Sequence, residues 1–171
     1  SHNHNDVGNF ILYYDGKPVI IDIGVETYTS KTFSANRYDI WTMRSEYHNL
    51  PTINGYEQSP GKEYAAKDVL FKAGNKEAVF SLDIAGAYPQ EAGVQKWDRK
   101  LILKRSGAFQ LVDDYALKAV TGELFFTLIT PCLPVVKDGK LVLQGDGFEA
   151  IIPYDKNKME LATEEKKIED E

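Results

Sequence analysis

The stretch Phe10-Ile-Leu-Tyr-Tyr-Asp-Gly-Lys-Pro-Val-Ile-Ile-Asp-Ile23 decides the fold class of this chain. Two runs rich in β-branched and aromatic residues flank the pair Asp15-Gly16. An Asp-Gly pair between two such runs is a strong signal for a hairpin. The sequence therefore predicts that residues 10–14 and 18–23 form two antiparallel strands joined by a tight turn.

The same rhythm of short apolar runs and turn residues continues along most of the chain. Gly74-Asn75 and Asp138-Gly139 are each flanked by strand-like runs and predict two further hairpins. About ten short strands with frequent turns are typical of an all-β protein built as an antiparallel β-sandwich. Helical periodicity is weak, and it is best in a short piece after Ser34 and in the charged tail from Met159. Further strands are predicted at residues 97–104, 109–113, 122–130 and 148–153.

The length and composition are those of one globular domain, which we place at residues 1–171. Of the 171 residues 43% are hydrophobic and 27% are charged, which is enough apolar material for a sizeable core. The net charge of −6 argues against sequence-independent binding of nucleic acid, although a local basic cluster can still hold an anionic ligand. No apolar run approaches the roughly 20 residues of a membrane span. The polar ends of the sequence lead us to expect a fragment of a larger protein.

The three histidines occur in a polar part of the chain, together with an aspartate that interrupts an apolar strand. His2 and His4 form an H-x-H pair, whose rings face one side of an extended segment roughly 6.5–7 Å apart. Asp22 follows Val-Ile-Ile, and His48 lies in the long polar connection 27–50, the kind of segment that often carries function. Two imidazoles and one carboxylate, with a fourth position left for water or substrate, form a recurring ligand set for catalytic zinc.

Each of these residues also has an ordinary interpretation. Strand alternation can place Asp22 on a solvated face. A single histidine in a loop, such as His48, is commonly a surface or hydrogen-bonded residue. The pair His2 and His4 is compatible with the remnant of an affinity tag.

Geometry adds a condition to the metal hypothesis. A two-residue turn pairs Tyr14 with Lys17 and sets Asp22 opposite Asn9, so that His4 lies roughly 17 Å away along a straight strand. A shared ion therefore requires residues 1–8 to fold back, with Gly8 as the bend, and requires the connection 27–50 to bring the third ligand to the same place.

These motifs together resemble the heparinase II/III-like polysaccharide lyases, at the start of their C-terminal β-sandwich domain. The resemblance rests on Ser-His-x-His-x-Asp at residues 1–6, on Asp-Gly after a strand and on an apolar strand ending in Asp-x-Gly at residues 22–24. It rests also on Arg-Ser-x-x-His-Asn at residues 44–49, and it continues as a weaker β pattern to Thr130-Pro131. The resemblance implies a supersandwich-like domain from an enzyme that also has an α/α toroid.

The resemblance implies roles for individual residues. It assigns zinc to His4, Asp22 and His48, and it directs His2 into the substrate cleft. Tyr38 is the nearest match by position to a tyrosine that acts in an alginate-cleaving branch of the family. Contacts to an anionic sugar are expected from Arg44 and Asn49, and also from Arg37; ordinary surface pairing is the other interpretation.

The implied reaction is β-elimination at a uronic acid. A base removes the proton at C5, an acid protonates the departing C4 oxygen, and positioned donors stabilise the developing negative charge. The partners implied are an acidic, uronic-acid-containing polysaccharide and the N-terminal toroid of the same protein, with neither nucleic acid nor membrane. We expect the parent protein to be a periplasmic or secreted lyase. Because the toroid supplies the rest of the catalytic set, we expect the isolated fragment to be inactive.

Two other function classes remain open from the sequence. A non-catalytic carbohydrate-binding β-sandwich would stack aromatic side chains such as Trp41 and Trp97 on sugars. A β-rich interaction module would give the histidines no particular role. Chelator sensitivity of glycan binding separates the metal-dependent hypothesis from both.

Overall fold

A computed structural model of the chain describes residues 3–24, 30–34 and 36–167. The described part is all-β and antiparallel, as the hairpin signals predict, and its helical structure consists of short 3₁₀ turns. Its eleven strands are β1 Leu12–Tyr14, β2 Lys17–Ile20, β3 Pro51–Ile53, β4 Lys67–Ala73, β5 Glu77–Asp83, β6 Val94–Lys104, β7 Phe109–Leu117, β8 Leu124–Phe126, β9 Leu133–Lys137, β10 Lys140–Gly145 and β11 Phe148–Pro153.

The strands form four antiparallel groups. The largest is a four-stranded sheet in the order β4-β5-β6-β7, in which each strand pairs with its neighbour in sequence. A second sheet has the order β11-β10-β9, and the pairs β1-β2 and β3-β8 complete the set. Neighbouring strands are thus joined mostly by hairpins, because the turn residues between them reverse the chain within a few positions.

The first hairpin forms with the predicted turn and with one irregularity. Tyr14 pairs with Lys17, and the turn residues Asp15 and Gly16 have φ of 49° and 74°. Positive φ at both positions is the signature of a type I′ turn, whose twist suits a two-residue hairpin. A bulge then shifts the register, so that Leu12 pairs with Ile20.

Two buried apolar clusters hold these groups together. One cluster lies under the four-stranded sheet and contains Ile53, Leu82, Ile84 and Trp97. The other joins the first hairpin to the three-stranded sheet through Val19, Ile20, Cys132, Leu141 and Leu143. The single cysteine is therefore a buried member of a core, where its thiol acts as a small apolar side chain.

Three predicted elements differ from the structure. The tail from Met159 is not helical through residue 167, because a charged segment without a continuous apolar stripe gains little from packing as a helix. The predicted strand 122–130 is shortened to β8. Beyond β8 the backbone N–H of Ile129 donates to the side chain of Asn49 instead of to a neighbouring strand. The short piece after Ser34 forms the 3₁₀ turn Arg37–Asp39 instead of an α-helix.

One buried ion pair connects the large sheet to the amino-terminal part of the chain. Arg99 on β6 has no exposed surface, and its Nε and Nη2 atoms donate to the carboxylate of Asp113 on β7 at 2.9 and 2.7 Å. Its Nη1 atom donates to the backbone carbonyls of Gly8 and Asn49 at 3.0 and 2.9 Å. The neighbouring Asp114 points to the other face, where it pairs with Lys96. Arg99 therefore connects two sheet strands to two loop segments.

Replacing Arg99 by methionine keeps much of the apolar volume and removes every one of these donors. Breaking a buried pair leaves an uncompensated charge, so we expect Arg99→Met to lower the free energy of unfolding by about 3–5 kcal/mol in urea titration. Lys96→Met is the matched control, because it breaks an exposed pair between the same two strands and is expected to have a much smaller effect. Equal effects of the two substitutions would contradict the assignment.

Candidate metal centre

The amino-terminal segment folds back at Gly8, as a shared ion requires. Gly8 has a φ of 87°, and a Cβ atom added there would lie 2.9 Å from Cγ2 of Ile84. Glycine is therefore required both by the backbone conformation and by the space available. The returning segment is clamped by Gln58, whose side chain accepts from the N–H of Val7 and donates to its carbonyl, each at 2.8 Å.

The connection between the first hairpin and β3 brings the third ligand to the same place. Its described residues include four 3₁₀ turns, Ser30–Phe33, Arg37–Asp39, Trp41–Met43 and Ser45–Tyr47, and His48 follows the last of them. The buried Arg37 ties this connection to the amino-terminal segment, because its Nε donates to the carbonyl of Asn3 at 2.9 Å. Arg37 thus supports the loop from inside, and its predicted contact with a sugar stays a prediction.

His4, Asp22 and His48 converge on one point. Nδ1 of His4 lies 3.3 Å from Nε2 of His48, and Nδ1 of His48 lies 3.1 Å from Oδ2 of Asp22. One ligand atom from each of the three residues lies within 4.8 Å of the others. Zinc bonds of about 2.0–2.1 Å in a tetrahedron set ligand atoms roughly 3.3–3.4 Å apart. A single ion takes one nitrogen of His48, so the donor set fits a zinc ion once the ligand atoms of the three side chains draw together from within 4.8 Å to that spacing.

The carboxylate of Asp22 is oriented by a network of amides. Its Oδ2 accepts from Nδ2 of Asn9 at 2.6 Å, and its Oδ1 accepts from the backbone N–H of Gly24 at 2.7 Å. Asn9 is oriented in turn, because its Oδ1 accepts from both the backbone N–H and the side-chain amide of Asn49, each at 3.0 Å. This contact between Asn9 and Asp22 agrees with the hairpin register, which sets the two residues near each other.

Asn49 lies in the interior and not on a binding surface. It has no exposed surface, and its Nδ2 also approaches the carbonyls of Phe10 and Ile21 at 2.8 and 2.9 Å. Its Oδ1 accepts from the N–H of Ile129 at 2.7 Å. The geometry favours a structural role for this side chain, and its predicted contact with a sugar stays a prediction. Asn9, Gln58 and Arg99 support the site, and sequence reasoning assigned them no part in it.

The protonation states suit metal binding. Burial alone raises the pKa of Asp22, but hydrogen bonds from His48 and Gly24 outweigh it and hold the pKa below its ordinary value. Burial and the neighbouring His48 lower the pKa of His4. An ionised carboxylate beside a neutral imidazole is the state in which these groups bind a metal. Burial raises the pKa of the nearby Asp6.

The remaining predicted residues lie at different places around this centre. The hydroxyl of Tyr38 accepts from Nδ2 of Asn3 at 3.3 Å, next to the histidine ligand at position 4. His2 lies outside the described residues. Arg44 is partly exposed and pairs with Glu57 and Glu46, the latter at 3.0 Å.

The two tryptophans differ in what they can contact. Trp97 is 3% exposed and stacks on Tyr115, so it has no face for a sugar. Trp41 packs edge-on against Tyr47 in the connection that carries His48.

Comparisons with known proteins identify one relationship. The sequence model of the heparinase II/III-like C-terminal family matches residues 1–170. No curated protein matches the chain significantly. Among the described residues, no helix combines the length and the apolar character that a membrane span needs.

The network around Asn49 can be tested by its effect on stability. Asn49→Ala leaves the N–H of Ile129 and the half-buried carbonyls of Phe10 and Ile21 without this partner, at about 1–3 kcal/mol for each group that stays unsatisfied. We therefore expect the free energy of unfolding to fall by at least about 3 kcal/mol in urea titration. Asn36→Ala, at an exposed position of the same connection, is the control and should leave stability nearly unchanged. A small effect of Asn49→Ala would show that the network does not hold the segments together.

Proposed function

The chain belongs to the heparinase II/III-like C-terminal family, and from this membership we propose that it is the metal-binding β-sandwich domain of a polysaccharide lyase. The proposed substrate is a uronic-acid-containing polysaccharide, which the parent enzyme cleaves by β-elimination. The proposed cofactor is zinc, held by His4, Asp22 and His48. The observation that carries the proposal is the convergence of these three side chains, which come from three separate segments.

The arrangement favours a metal that organises the site. Three protein ligands leave a fourth position of a tetrahedron open, and a bound zinc ion would supply a fixed positive charge there. The buried His48 is held from both sides, by Asp22 and by His4. These two contacts fix the ring orientation of His4 and His48. They also fix the main chain at His4, two residues after His2 in the sequence. A lyase needs such order because its acid and base must meet a sugar in one geometry.

In the proposed mechanism, His2 and Tyr38 are the acid and base of the elimination. One removes the C5 proton of the uronate and the other returns a proton to the departing C4 oxygen. The contact between Tyr38 and Asn3 sets the phenol beside the segment that carries both histidines of the H-x-H pair. We propose that Tyr38 and His2 act on the same sugar.

Substrate contacts would come from the rim of the centre. Arg44 is partly exposed and already binds two carboxylates, those of Glu46 and Glu57. A uronate could replace one of them, because the planar guanidinium binds any carboxylate in the same bidentate way. Asn49 would act indirectly, by orienting Asn9 and through it Asp22.

The wider setting is also part of the proposal. We place the domain next to an N-terminal α/α toroid in a periplasmic or secreted enzyme, where the toroid completes the cleft. The isolated domain should then bind metal without turning over substrate. A non-catalytic carbohydrate-binding module is the alternative; of its two candidate tryptophans, Trp97 is buried, which leaves Trp41.

Zinc content tests the proposed centre directly. Elemental analysis of the purified chain should find about one zinc ion per chain, because the three ligands form a single site with one open position. Zinc titration of metal-free protein should show affinity falling by more than ~100-fold in His48→Ala and in Asp22→Asn, because each loses a direct ligand. Asp114→Asn, which removes an exposed carboxylate, is the control and should retain wild-type affinity. The proposal would be refuted if the protein took up no zinc from excess zinc and had the same urea stability with and without it.

The role of Tyr38 is testable in the parent enzyme. Tyr38→Phe removes only the hydroxyl, so we expect kcat on a uronic-acid polymer to fall by roughly 10²–10⁴-fold, the usual value of a positioned acid or base. The accumulation of unsaturated product is the measurement, and KM should change little. Tyr56→Phe, at another partly exposed tyrosine, is the control. Unchanged kcat in Tyr38→Phe would remove this residue from the mechanism.

A further inference from the structure

Two hairpin turns lie side by side at one end of the four-stranded sheet. The turn between β4 and β5 and the turn between β6 and β7 are joined by a backbone hydrogen bond of 2.8 Å from the N–H of Arg105 to the carbonyl of Lys76. The two turns enclose a shallow cleft of about 480 Å³. Its lining residues are Asn75, Lys76, Glu77, Lys104, Arg105 and Ser106.

The cleft carries a net positive charge, although Glu77 lies directly opposite Lys104 on the neighbouring strand. Three of its six lining residues are cations and one is a carboxylate. In the part of the chain that the structure describes, no carboxylate forms an ion pair with Lys76, Lys104 or Arg105. Other exposed lysines do form such pairs, for example Lys156 with Asp138. In a chain of net charge −6 this cluster is a local feature.

The adjoining face of the sheet extends the cluster. Lys72 on β4 pairs with Val79, and Val79 pairs with Ile102, which lies between Lys100 and Lys104 on β6. Residues directly opposite each other and residues two apart point to the same face, so these side chains form one surface. Cations therefore border an apolar strip formed by Val79 and Ile102. A polymer that alternates sugar rings with acidic groups matches such a surface better than a compact anion does.

We propose that this cleft and the adjoining face are a secondary binding site for an anionic polysaccharide. The identity of the polymer rests on the proposed function, whereas the site itself rests on charge and shape. Lys104 is five residues from Arg99 along β6, which is roughly 17 Å. Arg99 contacts the segments that carry the candidate metal ligands. The site is therefore distinct from the metal centre, and it would hold a long chain away from the bond that is cleaved.

The test compares two double variants that change the net charge equally. Lys76→Glu with Arg105→Glu reverses the cleft, and Lys62→Glu with Lys118→Glu reverses two exposed lysines elsewhere. Alginate binding is measured by calorimetry at low salt, on metal-free and on zinc-loaded protein. The cleft variant should lose at least about tenfold in affinity, and the control variant much less, because local potential and not net charge holds the polymer. Equal losses in both variants would overturn the proposal.

Further measurements identify the ligand. They also distinguish a failure of this proposal from a failure of the proposed function on which it rests. Neutral dextran should not bind, and a duplex DNA oligomer should bind more weakly than alginate; tighter DNA binding would overturn the polysaccharide assignment. The effect of the cleft variant should be the same in metal-free protein, and its zinc affinity and urea unfolding should match wild type. Failure of the proposed function appears as absent zinc binding, whereas failure of the cleft appears as equal polymer affinity in the two double variants.

Discussion

The buried guanidinium of Arg99 is the interaction on which the arrangement of this domain depends. Its contacts with Asp113, Gly8 and Asn49 join the large sheet to the bend of the amino-terminal segment and to the end of the loop that carries His48. Lysine could not replace it, because only the planar guanidinium offers a bidentate fork to a carboxylate together with further donors in fixed directions. The charge is tolerated in the interior because four of the five N–H groups donate to acceptors, two of them to the carboxylate of Asp113.

From Arg99 a continuous series of polar contacts leads to the candidate ligands. Arg99 binds the carbonyl of Asn49, whose side chain orients Asn9, and Asn9 binds Asp22. Asp22 then holds His48, which faces His4. Fold and site are thus supported by the same hydrogen bonds. A substitution in this series is expected to alter stability and ligand geometry together, so a loss of function there has to be separated from a loss of fold.

The sequence predicted the parts of this structure that depend on local chemistry. The turn Asp15-Gly16 needs only its own residue types, and the condition that Gly8 should bend the chain follows from counting residues along a strand. The parts that depend on distant partners were not predictable in this way. An arginine in a strand is mostly expected to be exposed. Arg99 is buried because Asp113 and two backbone carbonyls accept its hydrogen bonds. Asn49 is similar, since its place after a histidine gives no sign of the distant backbone groups that its side chain contacts.

The hydrogen bonds around Asp22 also bear on what a metal ion would do. Both oxygens of this carboxylate already accept hydrogen bonds, and His48 is already held in place by it. Hydrogen bonds within the fold therefore orient Asp22 and His48. A bound ion would draw the ligand atoms closer together. An ion that binds such a site stabilises the folded chain by mass action, to a degree set by its concentration and its dissociation constant. Here the ion would add to hydrogen bonds that already orient its ligands, whereas zinc fingers rely on their metal to fold.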